Sequence, residues 1–144
     1  MKTDELIFLE TDDACAYCGI KQRDNLSIHH IEGNTRKNDY ENMIALCHNC
    51  HHRLTNNKGI SREDIKNRKK DLIFKTLTQV GVNALKMAYR KKAEIGAIPF
   101  MVFHLVEMGY LKKTGSLYWS GDVDYLAKYE LTEKGQDLYE KWLK

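Results

Sequence analysis

One proline, no internal repeat, no low-complexity tract and no long apolar run: the absences in this sequence already narrow its class. The longest apolar stretch, residues 97–103, contains Pro99 and falls far short of the roughly 20 residues a bilayer-spanning helix needs. The opening MKTDELIFLETDD has four adjacent apolar residues between acidic flanks, which is not a secretory leader pattern, so a cytoplasmic setting is expected. Neither sign of charge dominates. There are 23 Lys and Arg against 20 Asp and Glu, and the net +3 decides nothing about partners by itself. With 144 residues, 42% apolar and 10% aromatic, the chain can build one ordinary core or two small ones. It is too short for a large enzyme scaffold.

What the sequence does contain is unevenly placed. All four cysteines and five of the six histidines lie between Cys15 and His52, whereas six of the eight tyrosines and both tryptophans follow residue 88. Asn56-Asn57-Lys58-Gly59 reads as a helix end, with Gly59 suited to the left-handed region. Ser61-Arg62-Glu63-Asp64 reads as an N-cap with an acidic residue three positions on. A domain boundary is therefore expected there, giving segments 1–60 and 61–144. The basic excess is concentrated in residues 62–92, with 10 basic and 3 acidic side chains. That run is either a solvated helix face or a nucleic-acid contact.

In the first segment, Leu26 to Ile31 and Met43 to Leu46 predict two short strands around a polar loop, and His48 to Asn57 predicts a helix. In the second, a helix is predicted from Glu63 to about Thr78, with Ile65, Leu72, Ile73 and Leu77 on its apolar stripe. Gly81 is expected to break it, with Asn83 capping a helix through Arg90. Pro99 suits the first turn of a helix over Phe100 to Met108, ended by Gly109. Ser116 to Trp119 and Tyr125 to Leu131 predict strands around the turn at Ser120-Gly121-Asp122, and Gln136 to Leu143 predicts a closing helix.

Cys15-Ala-Tyr-Cys18 and Cys47-His-Asn-Cys50 are two CxxC pairs 28 residues apart. In a reducing cytosol such pairs point to a metal rather than to disulfides, and two of them complete a tetrahedral structural zinc site. The spacing exceeds the usual ribbon interval of about 15–20 residues, and the extra residues carry His29 and His30.

The run Ser27-Ile28-His29-His30-Ile31-Glu32-Gly33-Asn34, followed by Glu41-Asn42-Met43-Ile44-Ala45-Leu46-Cys47-His48-Asn49-Cys50-His51, resembles the HNH endonucleases over about residues 12–58. The resemblance implies a ββα-metal fold, cleavage of DNA phosphodiester bonds and a catalytic divalent ion, Mg2+ or another. It gives His30 the part of general base, His29 and His51 the part of ligands to that ion, and Asn42 the part of fixing the loop that orients the base. The chemistry is coherent, because a neutral imidazole accepts a water proton near neutral pH and a divalent ion stabilises a pentacovalent phosphate. Adjacent strand residues face opposite ways, so the strand must end or bend at the histidine pair if both are to reach one phosphate. His48 and His52 offer alternative imidazole ligands, and no carboxylate ligand is evident. Arg53 is a candidate clamp for the phosphate or simply an exposed helical arginine.

Residues from about 71 to 144, with the phrase Leu131-Thr132-Glu133-Lys134-Gly135, resemble the winged-helix domains of bacterial regulators. The reading as a whole is an α+β protein: an N-terminal ββα-metal HNH module with a four-cysteine zinc site, then a mostly helical winged-helix domain that binds DNA or forms a homodimer. The helix over Phe100 to Met108 would read DNA in that family, but it carries no Lys or Arg. It is expected in a core or dimer interface, with His104 packed; Tyr118, Trp119 and Tyr125 are core, interface or groove contacts, with core the default. DNA contact is expected instead from Arg68, Lys69, Lys70, Arg90, Lys91 and Lys92. The competing readings are a non-catalytic zinc-stabilised winged-helix regulator and a module that recruits another protein.

Overall fold

Leu26–His30 (β1) and Met43–Cys47 (β2) pair antiparallel, from Leu26 opposite Cys47 to His30 opposite Met43, in the computed structural model, which describes residues 2–144. Every residue of β2 is buried whereas β1 is only partly covered. The uninterrupted apolar run Met43-Ile44-Ala45-Leu46 is what a strand covered on both faces requires. A short helix, Thr3–Leu9 (α1), buries Ile7 and was not foreseen, because seven residues, two acidic ones followed by four consecutive apolar ones, carry little periodic signal. After β2, Cys47 caps His48–Thr55 (α2), and Asn57 and Gly59 then take positive φ of 54° and 85° where that helix ends.

The basic helix Arg62–Lys91 (α3) opens as its sequence predicts. Ser61 Oγ accepts from Asp64 N–H at 3.1 Å, and Asp64 Oδ2 accepts from Ser61 N–H at 2.9 Å. Its interruption falls at Thr78, with φ 65° and ψ 164°, and not at Gly81. The reason is a cap: Thr78 Oγ1 accepts from the N–H of Gly81 at 3.3 Å, so Gly81 lies in the first turn of the resumed helix. The chain divides into two compact units between Thr76 and Leu77, so the first half of α3 belongs with the cysteine-rich segment and not with the second domain. Ile65, Lys69 and Ile73, four residues apart on one face, are at most 1% exposed and anchor it there.

The second unit holds the rest of α3, Ile95–Ala97 (β3), Pro99–Glu107 (α4), Leu111–Ser120 (β4), Val123–Leu131 (β5) and Glu133–Leu138 (α5), followed by a wide turn over Tyr139–Leu143. The three strands form an antiparallel sheet in the order β3-β5-β4. The β4–β5 hairpin is longer than its sequence suggested and turns through Gly121 at φ 58°. Val82, Leu85, Ile95, Val102, Leu105, Tyr110, Ala127, Tyr129 and Leu138 make its core. Thr132 Oγ1 accepts from Gly135 N–H at 3.0 Å and donates to the Gly109 carbonyl at 2.6 Å. Gly135 is required there, because a Cβ would run into the Tyr110 carbonyl oxygen.

His104 is packed as expected: its Nε2–H donates to the Leu77 carbonyl at 2.7 Å, in space that a Cβ on Gly81 would take. One face of α4 is buried through Val102 and Leu105, while Phe100 is 90% and Phe103 61% exposed. One other expectation is corrected. Tyr118, Trp119 and Tyr125 lie half or more exposed on the hairpin, not in the core, because they occupy its distal part, beyond the three-residue β3 that covers only the base of β5. Among the described residues no helix is long and apolar enough to cross a membrane.

Candidate metal centre and active site

The two CxxC turns converge because β1 and β2 lie antiparallel. The first turn precedes β1, the second ends β2, and Ala16 N–H binds the Ala45 carbonyl at 2.9 Å to hold the first against the second. The four Sγ atoms of Cys15, Cys18, Cys47 and Cys50 lie within 4.8 Å of one another, and those of Cys18 and Cys47 are 3.7 Å apart. Sulfurs at ~2.3 Å from a tetrahedral zinc are about 3.8 Å apart, so the donor set fits that ion. Backbone N–H groups assist: Cys50 N–H donates to Cys47 Sγ at 3.4 Å. Burial alone would raise the Cys15 thiol, but N–H groups of Cys18, Cys47 and Tyr17 outweigh it and bring the thiol down to about 7. Burial pushes the Cys50 thiol up, the cost of burying a thiol that a metal ion would offset.

β1 ends at His30, and Gly33 N–H returns to the His30 carbonyl at 3.0 Å, so the chain turns directly after the histidine pair. His29 faces α2, where its Nδ1 lies 3.3 Å from His51 Nε2. Two nitrogens on one ion at ~2.1 Å are about 3.0–3.4 Å apart over the octahedral to tetrahedral range, so this pair fits two ligands of a single cation. Burial first, then the neighbouring His51, His30 and Arg62, bring His29 down to about 4, so it is neutral and available as a ligand at pH 7. Among the described residues no third His, Cys, Asp or Glu joins this pair. His52 is exposed, with its Nδ1 3.2 Å from Asn56 Nδ2, and His48 lies exposed beside residues 22–25. Neither joins His29.

His30 points elsewhere, as its place next to His29 in a strand demands. Its Nε2–H donates to Asn38 Oδ1 at 2.9 Å, in a shallow cleft that Lys2, Thr3, Asp4, Ile28 and Met43 complete. Asn42 is 5% exposed. Its Oδ1 accepts from Glu32 N–H and its Nδ2 donates to the Lys37 carbonyl, both at 2.9 Å, so it spans the loop between the strands. The sequence singled out Asn42 but not Asn38, and only the closure of the loop identifies the latter.

The cationic candidates divide. Arg53 Nε donates to the Lys58 carbonyl at 3.1 Å and its Nη2 packs against Gly59, so it closes the turn after α2 and is not directed at the histidines. Lys69 is corrected outright: it is fully buried against Glu10, and DNA cannot reach it. Arg68, whose guanidinium lies 5.5 Å from the Tyr17 ring centre, Lys70, Arg90, Lys91 and Lys92 are exposed.

A strand pair and a helix that hold four thiolate donors on one side and facing imidazoles on the other define a metal-binding ββα module. Residues 15–57 match the family model described as HNH endonuclease. No curated protein and no solved structure matches the chain. The family match points to a nuclease or nucleic-acid-related metal-binding role for this segment.

Proposed function

We propose that the protein is a metal-dependent endonuclease that hydrolyses DNA phosphodiester bonds. One observation carries the reading: His29 Nδ1 and His51 Nε2 are 3.3 Å apart while the adjacent His30 is held separately by Asn38, so ligand and base functions fall to different imidazoles. His29 and His51 would hold a divalent ion, which supplies Lewis-acid stabilisation of the phosphate and the leaving oxygen when bound. His30 gives its Nε2–H to Asn38, which leaves Nδ1 as the lone-pair nitrogen that takes a proton from the attacking water. Asn42 shapes the loop on which Asn38 sits. Zinc on the four cysteines holds the fold and takes no part in the chemistry.

The second unit, with helix, strand, helix, hairpin and closing helix in that order, fits a winged-helix domain, as its resemblance suggested. Exposed Arg68, Lys70, Arg90, Lys91 and Lys92 supply sequence-independent phosphate contacts, and Lys69 drops out of that set. Phe100 and Phe103 favour a protein-facing or homodimerising α4 over one that reads bases, since base edges need polar partners. The test is supercoiled plasmid incubated with purified protein, with and without Mg2+ or Mn2+, beside His30→Ala. Ion-dependent nicking or linearisation that His30→Ala abolishes is the expected result. Equal behaviour of the two proteins removes the enzymatic reading and leaves a non-catalytic DNA-binding one.

A further inference from the structure

We propose that Arg62, the first residue of α3, binds the scissile phosphodiester in the histidine site, a part for which the sequence offered Arg53 only as a candidate. The inference rests on the nuclease reading and deepens it. Arg53 spends its Nε on the Lys58 carbonyl and lies against Gly59, which commits it to the turn. Arg62 reaches in the other direction. Its Nη2 is 3.8 Å from the point where a Cβ on Gly33 would stand, so the guanidinium lies over the turn that follows the histidine pair. That turn is tied to the pair itself, through Gly33 N–H on the His30 carbonyl at 3.0 Å.

The local sequence offers no stabilising reason for a cation at this position. The first turn of a helix is its positive end, where Glu63 and Asp64 are the favourable charges and an arginine is opposed. Gly33 at φ 72° has no side chain, so nothing stands between the guanidinium and the backbone there. A planar guanidinium donates two parallel N–H bonds to a phosphate, and one fixed before the reaction stabilises the extra negative charge that accumulates as water adds. The ligand class is a phosphodiester of a nucleic-acid backbone.

The test uses the full-length, zinc-loaded protein and a fluorescent duplex of about 30 base pairs. Two quantities are measured for wild type, Arg62→Gln, Arg62→Lys, His30→Ala and the exposed control Lys75→Gln: the single-turnover cleavage rate at saturating Mg2+ or Mn2+, and the salt dependence of binding without divalent ion. Arg62→Gln should slow cleavage on the order of 10²-fold and flatten the salt slope by about one unit, with zinc content and thermal midpoint unchanged. Arg62→Lys should keep the slope and recover only part of the rate, because it keeps the charge but not the fork. Lys75→Gln should cleave at the wild-type rate. A wild-type rate and slope for Arg62→Gln overturns the proposal, as does a rate loss that accompanies lost zinc or a lowered midpoint. If wild type cleaves nothing while Arg62→Gln still flattens the slope, the nuclease reading has failed and the phosphate contact stands.

Discussion

Lys69 Nζ donates to Glu10 Oε1 at 2.8 Å, and neither side chain has any solvent exposure. Tyr40 OH donates to the other carboxylate oxygen at 2.5 Å, and the Lys69 ammonium sits 3.7 Å from the Tyr40 ring centre. One buried network thus joins the end of α1, the turn Tyr40–Asn42 that precedes β2, and the first half of α3. Burial pushes Lys69 down to about 8 against the pull of Glu10, and burial with the adjacent Glu10 raises Tyr40. Lys69→Met, which strands the carboxylate, should therefore cost about 3–5 kcal/mol in urea unfolding. The double variant Lys69→Met/Glu10→Gln should recover part of that loss. Additive effects would show that the two groups do not act as a pair.

Asn38 should matter through His30 and not through folding. Asn38→Leu removes the acceptor for Nε2–H, so the fraction of His30 in the Nε2–H tautomer, read by nitrogen chemical shifts, should fall. The cleavage rate should fall with it while the unfolding free energy stays within about 0.5 kcal/mol of wild type. His30→Ala should reduce the rate by roughly 10²–10⁴ and leave divalent-ion affinity nearly intact, whereas His51→Ala should weaken ion binding and respond to added metal. Equal, metal-rescuable losses for both would reverse the roles.

The cysteine site makes a compositional prediction. Purified protein should contain one tightly bound zinc, and Cys47→Ser should lose both the metal and most of the ordered structure of the first unit. Cys47 contributes twice, as a ligand and as the cap of α2, so it should be the least replaceable of the four. Elemental analysis that finds no zinc in folded protein contradicts the site.

His29 gives stability a pH dependence whose sign follows from its lowered titration. The folded state releases the proton near 4 and an unfolded chain near 6.5, so between those values the unfolded state binds more protons. Stability should therefore fall as pH drops from about 6.5 to 4. In zinc-loaded protein without added divalent ion, His29→Gln should reduce that fall, measured as urea midpoints at pH 7 and pH 5. An unchanged slope would mean that His29 titrates normally.

On α4 two neighbouring apolar residues should behave oppositely. Leu105→Ala removes a side chain with no exposure and should cost about 2–5 kcal/mol, whereas Phe100→Ser should be within about 0.5 kcal/mol of wild type in dilute protein. If Phe100→Ser also shifts the sedimentation coefficient of concentrated protein, α4 is a self-association surface.

The local grammar of this chain was legible without a structure. Paired CxxC turns, the Ser61 cap, Pro99 at a helix start and the alternation around His29 and His30 each depend on residues within a few positions, and each was found where expected. The HNH resemblance rested on the same short-range order, which the family match over residues 15–57 supports. Partners distant in sequence decided the rest. Lys69 lies 59 residues from Glu10, and only a view across α1 and α3 shows that a lysine inside the basic run occupies the buried stripe of Ile65 and Ile73. Arg53 and Arg62 are equally cationic as text, and the direction each takes is set by a turn at Gly59 and a turn at Gly33. Thr78 interrupts α3 because its hydroxyl meets the N–H of Gly81, while Gly81 itself is kept small by His104, 23 residues away. Periodicity reports which residues can share a face, and packing alone determines which faces find cover and which charges are left in water.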